Sequence, residues 1–222
     1  MLNGRNIQPE LLEGLPPESA ARNLTDLVRI NRWFGGRRIA RQVFGELFET
    51  QDSFTVLDCG AASGDMAVAI ARAFPRAEVV SCDLDDSHLA AAPFPKLAAD
   101  AFHLPFADGT FDVVYSSLFL HHFDDTAVRR LLEEFARVAR RAVVAVDLER
   151  SAISRAFLPA TRAVFGWDPV TVSDGSTSVG AAFKPRELRA LAGGFRGARV
   201  RRHMPWFRLS LVIPLLHDRR AL

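Results

Sequence analysis

Lysine is nearly absent. Of the 28 basic residues only Lys96 and Lys184 are lysines, and the arginines fall in scattered pairs such as Arg37-Arg38, Arg129-Arg130 and Arg201-Arg202. With no block of like charge and a formal net charge of +2, nothing calls for a nucleic acid or another acidic polymer as partner. Cysteine is scarce too. Cys59 and Cys82 each close an apolar stretch, without the CxxC or Cys/His spacing of a zinc site or the number a disulfide framework needs. Long hydrophobic runs are missing: the apolar segment from Leu209 to Leu216 is broken by Pro214 and too short for a membrane span. The N-terminus lacks a basic-then-apolar signal pattern, so a cytoplasmic protein is expected. Tyrosine occurs once, at Tyr115.

What remains is an ordinary globular composition, 49% hydrophobic and 24% charged over 222 residues, enough for one well-buried domain. Residues 1–16 read as irregular. Pro17 opens a helix that Gly35-Gly36 stops, and Ile39, Val43, Phe44, Leu47 and Phe48 give a second helix one apolar face. Together, residues 1–50 are expected to form a helical cap. From Phe54 apolar strands alternate with amphipathic helices: FTVLDC, AEVVSCD, KLAAD, FDVVYSS and AVVAVDL are strands, with helices after the first and fourth. That alternation implies a parallel sheet covered on both faces, with ligands at the carboxyl ends of its strands. Residues 51–148 form this core. Residues 149–183 show no clear period, and SDGSTSVG reads as a polar loop in a substrate-side insertion. Residues 184–222 hold a helix from Pro185 and an antiparallel hairpin, ARVRRHM and WFRLSLVI. One domain is expected throughout, as a monomer or a homodimer.

The first strand runs into Asp58-Cys59-Gly60-Ala61-Ala62-Ser63-Gly64-Asp65. Glycines at a strand-to-helix turn let backbone bend and approach a ligand. The dinucleotide pattern G-x-G-x-x-G fails here, since Ala62 and Asp65 stand where glycines belong. Acids at both ends of the turn also suit a cationic ligand better than a pyrophosphate. Asp83, at the second strand end, lies 19 residues after Gly64, the spacing at which an acid holds ribose hydroxyls in such folds. Helix capping is the other reading of Asp83.

These features resemble motif I of the class I S-adenosylmethionine-dependent methyltransferases, a hydrophobic strand followed by D/E-x-G-x-G-x-G. Asp58, Gly60 and Gly64 match, with Ala62 for the middle glycine. The segment LAADAFHLPFADGTFDVVYSS resembles the family's third and fourth strand ends. The resemblance implies a Rossmann-like seven-stranded, mostly parallel sheet with an antiparallel C-terminal hairpin, and S-adenosyl-L-methionine as cofactor. It implies contacts from Asp58, Gly60, Ala61, Ala62 and Gly64, ribose held by Asp83, adenine packed on Leu84 and bonded at Asp100-Ala101, and the methionine part beside Ser116-Ser117. An amino-methylating nucleic-acid enzyme is disfavoured by the lack of its Pro-Pro-aromatic motif. A short-chain dehydrogenase is disfavoured because Phe119 stands four residues after Tyr115, where lysine is needed.

His121 and His122 are candidate proton acceptors, or they only support their loop. Asp174 is a candidate base, or a turn residue before Gly175. A metal site built from His121, His122, Asp124 and Asp125 is not expected, because adjacent ligands on one short loop do not converge. Arg29, Arg32, Trp33, Phe34 and Trp167, with His121, are expected to line the pocket of a small, apolar or aromatic acceptor. R-I-N-R-W-F-G-G and D-G-S-T-S-V-G resemble methyltransferases of bacterial polyketide and phenolic-lipid pathways, which implies O-methylation of a phenol. A non-catalytic cofactor-binding sensor or scaffold, and more distantly an NAD-dependent oxidoreductase, stay open.

Overall fold

A computed structural model of the chain describes residues 4–8, 17–92 and 95–215, with residues 17–21 described by backbone alone. Residues 4–8 carry no regular structure, as expected; the rest of the irregular run 1–16, and Leu216 at the end of the late apolar segment, lie outside the described residues. Seven strands form one sheet: β1 (Phe54–Cys59), β2 (Ala77–Asp83), β3 (Lys96–Ala98), β4 (Phe111–Ser117), β5 (Ala139–Leu148), β6 (Arg199–His203) and β7 (Arg208–Pro214). Their spatial order is β3-β2-β1-β4-β5-β7-β6. The first five run parallel, and β7 enters antiparallel beside β5 with β6 antiparallel on the outer edge. The chain reverses its direction of travel across the sheet between β1 and β4, and crevices for ligands open at such a switch point.

Helices clothe both faces. On one, α2 (Gly36–Gly45) and α3 (Asp65–Ala73) cover the sheet; Ile39, Val43 and Phe44 of α2 join Val56, Tyr115 and Val144 in one apolar cluster. On the other, Leu131, Leu132 and Phe135 of α4 (Asp125–Val138) and Leu188 and Leu191 of α7 (Pro185–Leu191) pack over Leu57, Val114 and Val143. Thus α2 is not a cap over the sheet's end but a helix of its covering layer. Its partner α1 (Pro17–Trp33) does reach over the carboxyl ends of the strands, where residues from Asn23 to Asn31 face the tips of β1 and β2 across a cavity.

SDGSTSVG is not a polar loop. The stretch 149–183 forms two helices, α5 (Ala152–Phe165) and α6 (Pro169–Ala181), and SDGSTSVG lies within the second. Ser151 caps α5 by accepting from the Ser154 N–H at 3.0 Å, and Asp168 caps α6 by accepting from Val170 N–H at 2.9 Å, with Pro169 in the first turn. No helical period is visible in α6 because, beyond the face of Thr171, Asp174 and Ser178, its last turn is buried all round at Val179, Gly180 and Ala181. Two of its hydroxyls bond within the helix: Ser176 and Ser178 donate to the carbonyls of Val172 and Asp174, four residues back, whereas the buried Thr171 hydroxyl has no partner among the described residues. Gly175 brings α6 close to α5, since a β-carbon there would collide with Leu158. Asp174 therefore lies buried inside a helix, not at a turn.

Phe44, fully buried, holds the α2 layer to the sheet amid the rings of Phe48, Phe54, Phe74 and Tyr115, whose centroids lie 5.6–6.4 Å away. Replacing it should leave a cavity that these rigid rings cannot fill. Phe44→Ala is expected to lower unfolding free energy by about 3–5 kcal/mol, while Val164→Ala, on the exposed side of α5, should change it by less than about 0.5 kcal/mol. Urea denaturation of the two variants checks both.

Candidate active site

The loop after β1 is held in shape by β2. Gly60 has φ +68°, and a β-carbon there would run into the Phe119 ring. Ala61 donates its N–H to the Cys82 carbonyl at 3.0 Å, and Ala62 donates to an Asp83 carboxylate oxygen at 2.9 Å. Gly64, at φ +69°, turns the chain into α3, where a β-carbon would press on Ala92 at 2.9 Å. Ala62, Leu118 and Phe207 adopt positive φ without being glycine, and all three line the same cavity. Strain of this kind persists only where surrounding structure over-determines it.

Three carboxylates meet beside this loop. Asp58 is buried, and its Oδ2 has no hydrogen-bond partner among the described residues. Burial raises its carboxyl well above the ordinary range, and the charges of Asp65 and Asp83 push the same way. Burial also raises Asp65, although Asn31 donates to it at 3.3 Å and Arg37 sits 3.7 Å away. Asp83 accepts from the N–H groups of Ala62 and Asp85, with His88 at 3.7 Å. A cluster in which buried oxygens of Asp58 and Asp65 lack hydrogen-bond partners among the described residues, and in which all three carboxylates face a cavity, favours a ligand bearing positive charge and hydroxyl donors.

Behind the cluster, Arg208 of β7 is buried and donates to Asn31 Oδ1 and to the Phe34 carbonyl, both at 3.1 Å. It fastens the end of α1 to the sheet. At the other end of the cavity, His121 stands on a short 3₁₀ turn after β4. Its Nδ1 lies 2.6 Å from Asp147 at the tip of β5, and its backbone N–H donates to the same carboxylate at 3.2 Å. Burial alone would raise Asp147, but the charge and hydrogen bond of His121 outweigh it and hold the carboxyl below its usual range. The His122 ring stacks on His121 at 4.4 Å.

One cavity of about 690 Å³ joins the two ends. Around it the structure gathers Asp58, Gly60, Ala61, Ala62, Asp83, Leu84, Ser117, His121, His122, Asp174 and Phe34 from the expected set. Gly64 stands at its edge as the cap of α3, and Ser116 is buried behind Ser117. Asp100 and Ala101 do not line it; the Asp100 carboxylate accepts from Phe102 N–H and pairs with His103, both at 2.9 Å. Nor do Arg29, Arg32, Trp33 and Trp167. Arg29 donates to Asp26 and the Phe165 carbonyl and lies over the rings of Trp33 and Trp167, joining α1 to the α5–α6 corner. Trp167 stacks on Phe165 and donates to Thr161, while Arg32 and Trp33 face solvent. The walls are instead Leu24, Leu27 and Ile30 of α1, Phe157 and Leu158 of α5, and Thr171 and Ser178 of α6. Asp147 and Arg208 escaped the sequence reading. A lone arginine within the apolar run WFRLSLVI was the available signal for the latter.

Residues 57–147 match a family model described as a methyltransferase domain. Demethylmenaquinone methyltransferases of Mycolicibacterium vanbaalenii and Corynebacterium efficiens are 36% and 33% identical over 118 residues, covering 52% of this chain and 50% of each relative. The chain thus spans about half the length of the curated relatives it matches. Among solved structures, the plantazolicin methyltransferase BpumL in complex with SAH superposes with a TM-score of 0.67 at 12% identity, covering 89% of both chains. A SAM-dependent methyltransferase from Aquifex aeolicus superposes with a TM-score of 0.58 at 14% identity, covering 91% of this chain and all of that one.

The Asp58 environment has a measurable cost. A carboxyl raised in the fold keeps a proton that the unfolded chain releases, so its stabilising effect is complete at acid pH and is lost as pH climbs through the raised value. Asp58→Asn removes that loss. The urea midpoint of the variant should exceed the wild type by a margin that widens as pH rises from about 4 and then levels. A margin that does not vary with pH would mean that Asp58 ionises in the fold as it does in water.

Proposed function

With residues 57–147 a methyltransferase domain on a class I methyltransferase fold, we propose that this chain binds S-adenosyl-L-methionine and transfers its methyl group to a small, apolar or aromatic acceptor through a hydroxyl group. The observation that carries the reading is the carboxylate cluster at the strand tips, with Asp58 Oδ2 unpartnered among the described residues in a loop shaped by Gly60 and Gly64. When bound, the cofactor supplies a methyl group made electrophilic by a positive sulfonium. Asp58 and Asp65 favour its cationic end. Asp83 accepts from the ribose hydroxyls while its other contacts keep the loop in place. Leu84, exposed at the cavity rim, offers an apolar shelf for adenine.

Transfer needs the acceptor oxygen aligned with the methyl group and water excluded, and such positioning supplies roughly 7–11 kcal/mol. The walls from α1, α5 and α6 do this for an apolar ring. Two relatives sharing the core are named for demethylmenaquinone, and an aromatic acceptor of that kind suits the lining. A phenol, with a pKa of about 10, must lose its proton near the transition state. His121 is the base in this reading, with Asp147 orienting its ring through Nδ1. Asp174 and His122 border the same space.

Calorimetry should detect both S-adenosylmethionine and S-adenosylhomocysteine, and Asp83→Ala should weaken each about 10- to 100-fold. S-adenosylhomocysteine release should appear on adding phenols, naphthols or hydroquinones. His121→Ala should then lower kcat about 100-fold or more and abolish the fall of kcat/KM on the acid side of the pH profile. No affinity for either cofactor form would end the methyl-transfer reading; turnover only on non-hydroxyl acceptors would end the O-methylation part alone.

A further inference from the structure

Helix α5 is a wall of the cavity on one side and has no buried residue. Ser154, Phe157, Leu158, Thr161 and Phe165 turn inward at helical spacing and are each half-buried. The opposite side is also apolar. Ala152, Ile153, Ala156, Pro159, Ala160, Ala163 and Val164 are all exposed, in a single stripe about 140° wide. Ile153 is 67% and Val164 79% exposed. Trp33, 44% exposed, stands at the far end of the helix with its ring 6.0 Å from that of Phe165. Exposed apolar area on this scale marks a surface that meets something.

The flanking charge says what. Arg155 and Arg162 lie one above the other along one border of the stripe, exposed, with no ion pair among the described residues. Arg32 is exposed beside Trp33, and α5 itself carries no acidic residue. A second copy of the chain fits this poorly, because pairing α5 with itself would set arginine against arginine with no acid on the helix to answer. A bilayer with acidic headgroups fits on both counts: apolar side chains enter the headgroup–acyl boundary, arginines meet phosphates, and tryptophan sits at the interface. No helix among the described residues is long and apolar enough to cross a membrane, so this is attachment in the plane of the surface.

We propose that α5 docks the chain onto an anionic lipid surface, with Ile153, Val164 and Trp33 seated among the lipids and Arg155 and Arg162 on their phosphates. Arg155 also borders the cavity, so docking places the mouth of the site against the bilayer. The docking itself does not rest on the methyl-transfer reading. An apolar acceptor dissolved in the membrane would nonetheless reach the site without crossing water.

The test is co-sedimentation of the full chain with vesicles of phosphatidylcholine, with and without a share of phosphatidylglycerol. Binding should require phosphatidylglycerol and weaken as salt is raised. The double variant I153E/V164E should bind about tenfold weaker or worse, and R162E should lose the preference for phosphatidylglycerol. Circular dichroism establishes that both variants fold, and their S-adenosylmethionine affinity, read by calorimetry, should not change. Failure of docking with cofactor affinity intact is thereby separated from failure of the cofactor reading. Absence of wild-type binding, or equal binding by I153E/V164E, overturns the proposal. So does self-association in the ultracentrifuge that I153E/V164E abolishes while vesicles bind nothing, which would assign the face to a second copy.

Discussion

A carboxylate buried without a full set of partners is the constraint around which this molecule is arranged. Asp58 lies in the centre of the sheet, between Ser81 of β2 and Tyr115 of β4, where water cannot solvate it and apolar strands surround it. A residue placed for stability alone would be neutral there. Two more acids, Asp65 and Asp83, face the same cavity, and neither relieves the first; each adds to the difficulty of ionising it. The fold accepts this because its two layers of aromatic and aliphatic packing are extensive enough to hold the strand tips together against the local electrostatics. The result is a cavity end that a cation with hydroxyl groups completes, so that ligand binding and ionisation of Asp58 favour one another.

The glycine loop makes sense against the same constraint. Asp83 does not merely await a ligand, because it already accepts the Ala62 N–H, and the Cys82 carbonyl accepts that of Ala61. The β2 tip thereby fixes the loop from the β1 tip before anything binds, and little ordering cost remains to be met on association. Arg208 performs the corresponding service on the other side. Its donation to Asn31, which in turn donates to Asp65, runs from β7 through α1 to α3 and ties the roof of the cavity to the carboxylate cluster.

Much of this was legible in residue order, and the parts that were not share a physical cause. Strands such as FTVLDC and FDVVYSS are short apolar runs between turn signals, and they appear at the expected residues because burial on both faces leaves them no other conformation. Asp58, Gly60, Ala62 and Asp83 converge because the parallel register of β1 and β2 sets their tips side by side. Helix α6 was hidden because a helix packed on several sides loses the alternation that betrays one, and its serines and glycine, poor helix formers in water, become useful where hydroxyls can bond backward and a small residue admits Leu158. Arg29, Arg32, Trp33 and Trp167 were expected at the pocket because aromatic and cationic residues near a site suggest recognition. Instead Arg29 of α1 lies over both tryptophan rings and donates to the Phe165 carbonyl of α5, while Trp167 donates to Thr161, forming a corner brace between the helices. Residue type cannot distinguish a brace from a lining, since both want large flat groups that interlock. Asp147 and His121 lie 26 residues apart in sequence and meet only because β4 and β5 pair in parallel.

The two faces of α5 bring the whole arrangement together. A wall helix of a water-soluble enzyme would place polar residues outward, and the inward side alone would account for Phe157 and Leu158. Here the outward side is apolar as well, with its arginines confined to one border. Packing on its own domain uses only the inward side of α5, so its outer composition is not dictated by the core and must answer to something else. Roof, wall and mouth of the cavity belong to α1, α5 and α6, the same elements that hold the apolar lining. If the acceptor is an apolar ring, it is scarce in water and concentrated in lipid. A wall that is apolar on both sides then offers it a continuous low-polarity route, from the bilayer past Arg155 to the base held by Asp147. Under the proposed function, the chemistry at the strand tips and the surface of α5 are two consequences of handling one charged and one oily ligand in a single cavity.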